Sequence, residues 1–423
     1  MDSISRFKTI GICGGGKMGV SFFNYISKFD FNIVFYIRNS EKREKINRSY
    51  FRNFMTKQKN GDIEVSDIPN VVITGNIEEL GDSDIIFEFV AEDLNVKRKV
   101  IEALISVSRN PEQIIASGSS SMTPGMLHKD YSKHNIIGVH YFYPVQYLKT
   151  VEVFYGAGTD KSVIEKVCCF LDSIDKKRLL LGEEAGALII RVFSGMQNEA
   201  FKVFKHNNID PGEIDRLIEK ENFAMPPFDL IDSVGFEIIS NCIEALYGGS
   251  DEYEYHKEMK DYLEIQMLNG WLGKKSGRGF FDYTGGSRKS SGEYGTVGES
   301  VLREEIVDRL KMMYLNSCFS LLNDCWVNTD ELDTALCEIN QCDKGPVEIA
   351  YEYGMTKILE KLEGCSSRYG IHFKPPEIVR YIVKNGIGRD EIDRQIRLFN
   401  MGETRPDWYN EDFRKKRKCL AEA

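Results

Sequence analysis

The sequence predicts an α/β protein with a doubly wound, mostly parallel sheet, followed by two tandem all-α helical domains. Three observations support this fold class. Short apolar runs alternate with polar segments of helix length up to about residue 183. Beyond that point the apolar residues follow the helical period, and the helical part then repeats itself. The predicted domains cover residues 1–183, 184–286 and 287–423.

The strands of the first domain are predicted from short apolar runs. Each run is separated from the next by a polar segment long enough for a helix, which is the crossover that parallel strands need. The runs are FKTIGIC at 7–13, FNIVFYI at 31–37, VVIT at 71–74, DIIFEFV at 84–90, QIIAS at 113–117 and NIIGVHY at 135–141.

Two copies of a helical domain follow, with an offset of 118 residues. Matched positions include charged and helix-ending residues as well as apolar ones, so chance is a poor explanation. The pairs are Arg191 with Arg309, Asn198 with Asn316, Ile209 with Val327, Glu213 with Glu331, Asp215 with Asp333 and, after one inserted residue, Pro227 with Pro346 and Gly235 with Gly354. The copies end differently, because GWLGKKSGRGFFDY at 270–283 has only GIGRDEI at 386–392 opposite it. The Gly- and Ser-rich segment 284–300 is the predicted linker.

Composition narrows the classes of function. The net charge is −10 and the pI is near 5.4, so the overall field repels phosphate and argues against nucleic acid or an anionic membrane as the main partner. The chain has no apolar run long enough to span a bilayer and no signal-peptide layout, which predicts a cytoplasmic protein. The 10 cysteines lack paired metal-ligand spacing, which favours reduced core thiols and no metal site.

The segment ICGGGKMG at 12–19 follows the first predicted strand and opens a helix. Gly14, Gly16 and Gly19 have the G-x-G-x-x-G spacing, with Lys17 and Met18 between the last two. Glycines let the turn tighten and let the backbone approach a pyrophosphate, while N–H groups of the helix N-terminus point at the ligand. The motif alone is weak, but its place after an N-terminal strand predicts a dinucleotide-binding loop rather than a structural turn.

The second predicted strand ends on Arg38, where a dinucleotide-binding unit normally has an acidic residue for the ribose 2′-hydroxyl. An arginine instead offers charged donors to a 2′-phosphate, and one such bond contributes about 1.5 to 3 kcal/mol. Asn39 and Ser40, with Lys42 and Arg43, supply further donors. We therefore expect NADP(H) as the cofactor, with NAD as the second option. The alternative is an exposed arginine that contacts nothing.

Six motifs occur in a specific order and spacing. They are ICGGGKMG, FVAEDLNVKRK at 89–99, SGSSSMTP at 117–124, GVHYFYPVQYLKTVEV at 138–153, MPPFDLIDSVG at 225–235 and GWLGKKSGRGFFDY. Together they resemble the 3-hydroxyacyl-CoA dehydrogenase family over residues 8–390, with a duplicated helical part as in multifunctional fatty-acid oxidation proteins. The resemblance implies a Rossmann-type domain, helical domains of the 6-phosphogluconate-dehydrogenase-like type, and hydride exchange between a nicotinamide cofactor and the 3-position of an acyl thioester.

The resemblance places the catalytic histidine on His140 and its carboxylate partner on Glu152. Both residue types suit the chemistry, because oxidation of a secondary alcohol releases a proton, histidine accepts protons near neutral pH, and a carboxylate fixes the imidazole tautomer. Ser120 matches the family serine that reaches the substrate oxygen. The alternatives are a buried structural histidine and a serine that caps a helix.

Three further residues are placed near the cofactor by the resemblance: Glu92, Lys97 and Ser119. Glu92 and Lys97 flank the predicted start of a helix. A charged helix start is therefore the simpler alternative for both.

Three positions depart from the family pattern, each by the loss of a side-chain amide. Gly118 replaces the asparagine of SNTSS, Tyr143 replaces that of HFFNP, and Ile190 stands where the family has an asparagine before the arginine. The resemblance implies that the last amide bonds the thioester end of the substrate. Loss of one oriented donor typically slows a reaction about a hundredfold to a thousandfold. The sequence thus predicts a slower or retargeted enzyme.

The carrier of the acyl group stays open. The stretch 41–59 is strongly basic and fits the phosphates of coenzyme A or the acidic surface of an acyl carrier protein, unless it is only an exposed charged helix. We expect a thioester substrate; the alternatives are another 3-hydroxy acid and a cofactor-binding protein without turnover. Because the second helical copy can occupy the place of a partner subunit, we expect a monomer or a weak homodimer.

Overall fold

Eight strands form one sheet in the first part of the described chain. The computed structural model describes residues 7–59, 70–182, 187–290, 294–296 and 300–409. The strands are β1 Thr9–Cys13, β2 Asn32–Tyr36, β3 Val71–Thr74, β4 Ile85–Glu88, β5 Ile114–Ser117, β6 Ile136–Tyr141, β7 Thr150–Tyr155 and β8 Lys177–Gly182. Their order is β3-β2-β1-β4-β5-β6-β7-β8, and every neighbouring pair is parallel except β6 with β7.

The predicted fold class is confirmed, and all six predicted strands are present. Two strands, β7 and β8, extend the sheet beyond the predicted runs. The signal of β8 is weak because only Leu179 and Leu181 are buried, while Leu180 between them is exposed. An edge strand with one buried face needs few apolar residues.

Helices cover both faces of this sheet. They are α1 Lys17–Ile26, α2 Ser40–Lys59, α3 Leu94–Val107, α4 Pro124–Leu127 and α5 Lys161–Ser173. Successive residues of a strand point to opposite faces, so Ile85 of β4 belongs to one core with Phe22 of α1, and Ile86 belongs to another with Leu104 of α3. The sheet is therefore buried on both sides, as a doubly wound fold requires.

The chain divides into two compact units, Met1–Gly186 and Ala187–Ala423. The second unit is helical, with one short antiparallel pair of strands, β9 Phe281–Asp282 and β10 Lys289–Ser290. Its helices are α6 Leu188–Asn207, α7 Pro211–Glu221, α8 Pro227–Val234, α9 Phe236–Tyr247, α10 Asp251–Leu268, α11 Ser300–Asn323, α12 Thr329–Asn340, α13 Pro346–Tyr353, α14 Met355–Tyr369, α15 Glu377–Asn385 and α16 Arg389–Asn400. None of the described helices has the length and apolar character needed to cross a bilayer.

Matched residues of the two helical copies make matched contacts. The Asn198 amide donates to a backbone carbonyl of α10 at 2.8 Å, and the Asn316 amide donates to the His372 carbonyl at 3.0 Å. The carboxylate of Asp215 accepts two backbone N–H groups at the start of α8, and that of Asp333 accepts two at the start of α13. These shared contacts confirm the duplication.

The described part of the predicted linker is hydrogen-bonded to the first copy. Gly295 donates to the Asn208 carbonyl at 2.8 Å and accepts the Asp210 N–H at 3.0 Å. The Arg288 guanidinium lies 3.2 Å from the Asp215 carboxylate. Residues 291–293 and 297–299 lie outside the described residues. The predicted domain boundary at residue 287 stays a prediction.

Candidate active site

The ends of several parallel strands meet at one edge of the sheet. In register, Cys13 pairs with both Tyr36 and Glu88, and Glu88 pairs with Ser117. Ligands of doubly wound sheets bind outside the carboxyl ends of the strands, where the strand order reverses. That reversal lies between β1 and β4, and the glycine loop directly follows β1.

The shape of the glycine loop fits a pyrophosphate. Gly14 has a φ of +118°, and a Cβ there would lie 2.5 Å from the Phe89 carbonyl oxygen. A Cβ on Gly19 would collide with the Gly14 carbonyl oxygen. Gly16 is the N-cap of α1 and supplies no side-chain cap, and the first turn carries no acidic residue. The N–H groups of that turn are therefore available to an anion.

His140 and Glu152 are brought face to face by adjacent strands. They are register partners in the antiparallel pair of β6 and β7, so both side chains lie on the same side of the sheet. His140 Nδ1 lies 2.7 Å from Glu152 Oε2, and both residues are buried. An ionised carboxylate only accepts hydrogen bonds, so Nδ1 is the donor of this pair, and in the neutral imidazole Nε2 is then the atom with the lone pair. The two residues form a hydrogen-bonded pair, and their catalytic role stays a prediction.

A second buried cluster joins the sheet to α3. The Lys97 ammonium lies 2.9 Å from Glu88 Oε1 and 3.4 Å from Glu92 Oε2. Glu92 Oε1 in turn accepts the Ser119 hydroxyl at 2.5 Å and the Ser120 N–H at 2.8 Å. Lys97 is 1% exposed, which rules out the alternative that it is a solvent-exposed charge at the start of a helix. The cluster holds the loop that carries Ser120.

Burial and charge act in opposite directions on this cluster. Burial works to lower the pKa of Lys97, but the carboxylates of Glu88 and Glu92 outweigh it, so that pKa lies above its ordinary value. Burial works to raise the pKa of Glu92, but the Lys97 ammonium and the bonds from Ser119 and Ser120 outweigh it, so that pKa lies below its ordinary value. Both side chains are therefore charged at neutral pH.

Arg38 is exposed just beyond β2 and forms no ion pair with any residue that the structure describes. The Arg43 guanidinium donates to the Ile37 carbonyl at 3.0 Å, which brings a second positive charge to the same strand end. Asn39 Oδ1 accepts a backbone N–H from the first turn of α2 at 2.8 Å, so this amide oxygen caps the helix. Ser40 begins α2 and is exposed. The strand end is positively charged and open to solvent.

The positions that lack a family amide have different surroundings. A Cβ on Gly118 would lie 2.5 Å from two atoms of the Phe89 ring. Tyr143 is 48% exposed in the β6–β7 connection, and the Lys17 ammonium lies 4.0 Å from the centroid of its ring. Ile190 is half-buried on α6. At Gly118 an aromatic ring fills the space that a longer side chain would need.

Sequence reasoning missed Glu88, Ser117 and Phe89. The Ser117 hydroxyl donates to Glu88 Oε2 at 2.7 Å, which adds a serine to the buried charge cluster. A signal for these two existed, because both are polar residues that end apolar strands at the edge where ligands bind. Phe89 gave no signal, since its contact with Gly118 depends on the packing of neighbouring strand ends.

A dinucleotide loop and a buried histidine–carboxylate pair in one doubly wound domain are typical of nicotinamide-dependent oxidoreductases. Residues 9–184 match the model of the 3-hydroxyacyl-CoA dehydrogenase NAD binding domain, and residues 186–283 match that of the C-terminal domain. The chain therefore belongs to the 3-hydroxyacyl-CoA dehydrogenase family. It is an oxidoreductase of 3-hydroxyacyl thioesters with an NAD-binding domain.

Individual relatives cover the chain to different extents. The probable 3-hydroxybutyryl-CoA dehydrogenase of Bacillus subtilis is 28% identical over 285 residues, which are 66% of this chain and 98% of the relative. Fatty acid oxidation complex subunit alpha of Vibrio vulnificus is 25% identical over 391 residues, 88% of this chain but 54% of the relative. The chain thus spans about half the length of this second relative.

Solved structures show the same fold. The crystal structure of 3-hydroxybutyryl-CoA dehydrogenase from Escherichia coli K12 has a TM-score of 0.71 at 18% identity, covering 89% of this chain and 98% of that one. The dehydrogenase part of multifunctional enzyme 1 from C. elegans has a TM-score of 0.55 at 16% identity and covers 89% of this chain. Because both matches extend well beyond two thirds of the chain, they include parts of the second helical copy.

Proposed function

We propose that the chain interconverts 3-hydroxyacyl and 3-oxoacyl thioesters with His140 as proton acceptor and donor and Glu152 as its carboxylate partner. The observation that carries this proposal is the 2.7 Å bond between His140 Nδ1 and Glu152 Oε2. When bound, a nicotinamide supplies the hydride acceptor or donor. His140 Nε2 takes the proton of the 3-hydroxyl group in oxidation and returns it in reduction, and Glu152 stabilises the imidazolium.

Ser120 is proposed to bond the substrate oxygen. Its backbone is held by Glu92 at 2.8 Å, and its hydroxyl has no hydrogen-bond partner among the residues that the structure describes. We propose that Glu92, Lys97 and Ser119 line the cofactor side of the same loop. Because Lys97 is bonded to two carboxylates, its part is to fix Glu92 rather than to bind phosphate.

Two substitutions test the pair in the reduction of acetoacetyl-CoA. His140→Ala should lower kcat by about a hundredfold to ten-thousandfold, the range that a general base contributes. Glu152→Gln removes a charge-assisted bond to the imidazolium and should cost at least about tenfold. His206→Ala is the matched control, because His206 pairs with Glu258 at 3.1 Å on the exposed surface of α6. Wild-type turnover in His140→Ala would refute the proposal.

We propose a preference for NADP(H) over NAD(H), which would favour the direction of reduction. The support is the open position of Arg38 and the placing of Arg43 at the same strand end. Arg38→Ala should weaken NADPH binding about tenfold to a hundredfold and leave NADH binding unchanged. Arg52→Ala, which removes an exposed guanidinium further along α2, is the control. Tighter binding of NADH than of NADPH to the wild-type protein would contradict this preference.

The acyl carrier is proposed to meet α2, as either coenzyme A or an acyl carrier protein. Among residues 41–59, seven are Lys or Arg and two are Glu. Phe51 and Met55 are 49% and 61% exposed on the same helix. This basic and partly apolar surface fits an acidic carrier. Relatives named 3-hydroxybutyryl-CoA dehydrogenase make the four-carbon acyl group the first to test.

The kcat/KM values for acetoacetyl-CoA and for the same group on an acyl carrier protein separate the two carriers. A protein that binds NADPH but turns over neither thioester is the alternative that Ile190 raises, since an apolar side chain stands there in place of an amide. Activity restored by Ile190→Asn would then assign the loss to that position.

We propose that the protein is a monomer or a weak homodimer of the cytoplasm. The support is that α6 of the first helical copy packs against α11 of the second, with Glu199 and Arg309 joined at 2.6 Å. A contact of this kind inside one chain can replace a contact between subunits. Sedimentation at micromolar concentration should give a mass near 48.4 kDa, and a mass of twice that value would contradict the proposal.

A further inference from the structure

Lys17 and Tyr143 are in contact across the opening of the glycine loop. Lys17 is the first residue of α1, directly after Gly16, and Tyr143 lies in the connection between β6 and β7. The Lys17 ammonium lies 4.0 Å from the centroid of the Tyr143 ring, well within the range of a cation–π contact. Lys17 forms no ion pair with a carboxylate in the part of the chain that the structure describes.

The connection that carries Tyr143 is bonded to α1. The Val145 N–H donates to the Ser21 hydroxyl at 3.1 Å, and Ser21 lies one turn after Lys17 on the same helix. Further along, the Leu148 carbonyl accepts the Lys176 ammonium at 2.7 Å. The connection that carries Tyr143 is thus held beside the N-terminal half of α1 by bonds that do not involve Lys17.

The position of Lys17 is electrostatically unfavourable without an anion. The N-terminal end of a helix dipole is positive and repels a cation, and the first turn of α1 has no acidic residue to compensate. The negative face of an aromatic ring offsets part of this repulsion. A phosphate on the N–H groups of this turn would offset the rest, because it attracts both the helix end and the ammonium.

We propose that Lys17 binds the diphosphate of the dinucleotide and that Tyr143 positions the Lys17 ammonium for it. The juxtaposition that carries this inference is the Lys17 ammonium held by the Tyr143 ring at the mouth of the glycine loop. The inference rests on the proposed dinucleotide site but not on the preference for NADP(H) or on turnover. Tyr143, which stands in place of a family amide, thereby acts on cofactor affinity through Lys17.

The test measures the binding of two probes by calorimetry. ADP-ribose carries the diphosphate but no 2′-phosphate, and adenosine 2′-monophosphate carries the 2′-phosphate but no diphosphate. Lys17→Met should weaken ADP-ribose about tenfold to a hundredfold and leave adenosine 2′-monophosphate unchanged. Tyr143→Leu should weaken ADP-ribose binding about threefold to thirtyfold, whereas Tyr143→Phe keeps the aromatic ring and should bind ADP-ribose like the wild type. Lys28→Met is the matched control, because it removes an exposed cation 5.9 Å from the Tyr25 ring at the other end of α1.

The double variant decides whether Tyr143 acts through Lys17. In the Lys17→Met background, Tyr143→Leu should change ADP-ribose binding by less than about twofold. An equal loss in both backgrounds, or wild-type ADP-ribose binding in Lys17→Met, overturns the inference. An unchanged circular dichroism spectrum shows that each variant is folded, whether or not the protein binds adenosine 2′-monophosphate. If instead the NADP(H) proposal is wrong, Arg38→Ala will not change the binding of adenosine 2′-monophosphate.

Discussion

Gly118 and Phe89 form a tightly packed pair whose removal and rescue can be predicted. A Cβ on Gly118 would lie 2.5 Å from Cδ1 and Cε1 of the Phe89 ring and 3.1 Å from the Glu88 carbonyl oxygen. Carbon atoms in favourable contact are about 3.5 to 4.0 Å apart. The ring has little room to move, because Phe89 is buried among Phe22, Tyr141 and neighbouring aromatic rings. Gly118→Ala should therefore be destabilising.

The magnitude follows from two opposing effects. Overpacking of a filled core costs about 1 to 3 kcal/mol. Replacement of glycine by alanine stabilises by about 0.4 to 1 kcal/mol through the unfolded chain, where the native backbone permits it. Gly118 does not have the positive φ that would exclude alanine. We expect Gly118→Ala to lower the free energy of unfolding by about 0.5 to 2 kcal/mol.

Phe89→Ala removes the ring and should reverse the sign of the Gly118→Ala effect. In that background the unfolded-state effect and partial filling of the cavity favour alanine, and the 3.1 Å contact with the Glu88 carbonyl oxygen opposes them in part, so Gly118→Ala should stabilise by less than about 1 kcal/mol. The wild type, the two single variants and the double variant form a double-mutant cycle. This cycle separates the energy of the contact between residues 118 and 89 from the large cost of Phe89→Ala itself.

Urea denaturation with two probes makes the measurement specific. All 3 tryptophans, at positions 271, 326 and 408, lie in the helical unit, so their fluorescence follows that unit alone. Circular dichroism follows both units. Gly118→Ala should shift the unfolding transition of the first unit, seen by circular dichroism, and leave the transition seen by tryptophan fluorescence unchanged. A Gly118→Ala change that is equally destabilising with and without the Phe89 ring would refute the packing argument.

Three further predictions concern the helical unit. Burial lowers the pKa of His256 from 6.5 to about 3, so below pH 6.5 the unfolded chain binds a proton that the folded chain does not. Between pH 7.5 and pH 5 the free energy of unfolding of the wild type should therefore fall by about 2 kcal/mol more than that of His256→Phe. Urea denaturation followed by tryptophan fluorescence measures this difference. Asp232→Asn should cost about 1.5 to 3 kcal/mol, because the Asp232 carboxylate accepts the Phe280 and Phe281 N–H groups at 2.9 and 3.0 Å. Tyr351→Phe should cost about 0.5 to 1.5 kcal/mol by the same measurement, since it removes one neutral bond. Equal pH dependence in wild type and His256→Phe, or equal costs for the other two, would contradict the reasoning.

The central strands β1, β4, β5 and β6 were predictable because they are buried on both faces and therefore appear in the sequence as apolar runs. The glycine loop was predictable because all of its residues are consecutive in the sequence. The relation of His140 to Glu152 came from a resemblance, and the geometry behind it is the antiparallel register of β6 and β7. The position of Lys97 was not predictable, since the pattern of a helix start does not show whether a lysine points into the protein.

The two helical copies hold their C-terminal segments by different chemistry. Asp232 of α8 corresponds to Tyr351 of α13 at the offset that matches Gly235 with Gly354. The Asp232 carboxylate accepts two backbone N–H groups and the Tyr283 hydroxyl, all from the segment 270–283. The Tyr351 hydroxyl donates once, to the Ile387 carbonyl at 3.1 Å in the segment 386–392.

A buried carboxylate needs several donors, because an uncompensated buried charge is costly. Burial already raises the pKa of Asp232 to about 6 with its donors in place. Tyr351 is half-buried and makes a single bond to the segment 386–392, so an aspartate at this position would lack the three donors that Asp232 has from Phe280, Phe281 and Tyr283. A tyrosine needs only one acceptor to satisfy its hydroxyl. The shorter segment therefore goes together with a residue that needs only one partner, and Tyr351→Asp alone would not reproduce the contacts of the first copy, because the segment 386–392 lacks the matching donors.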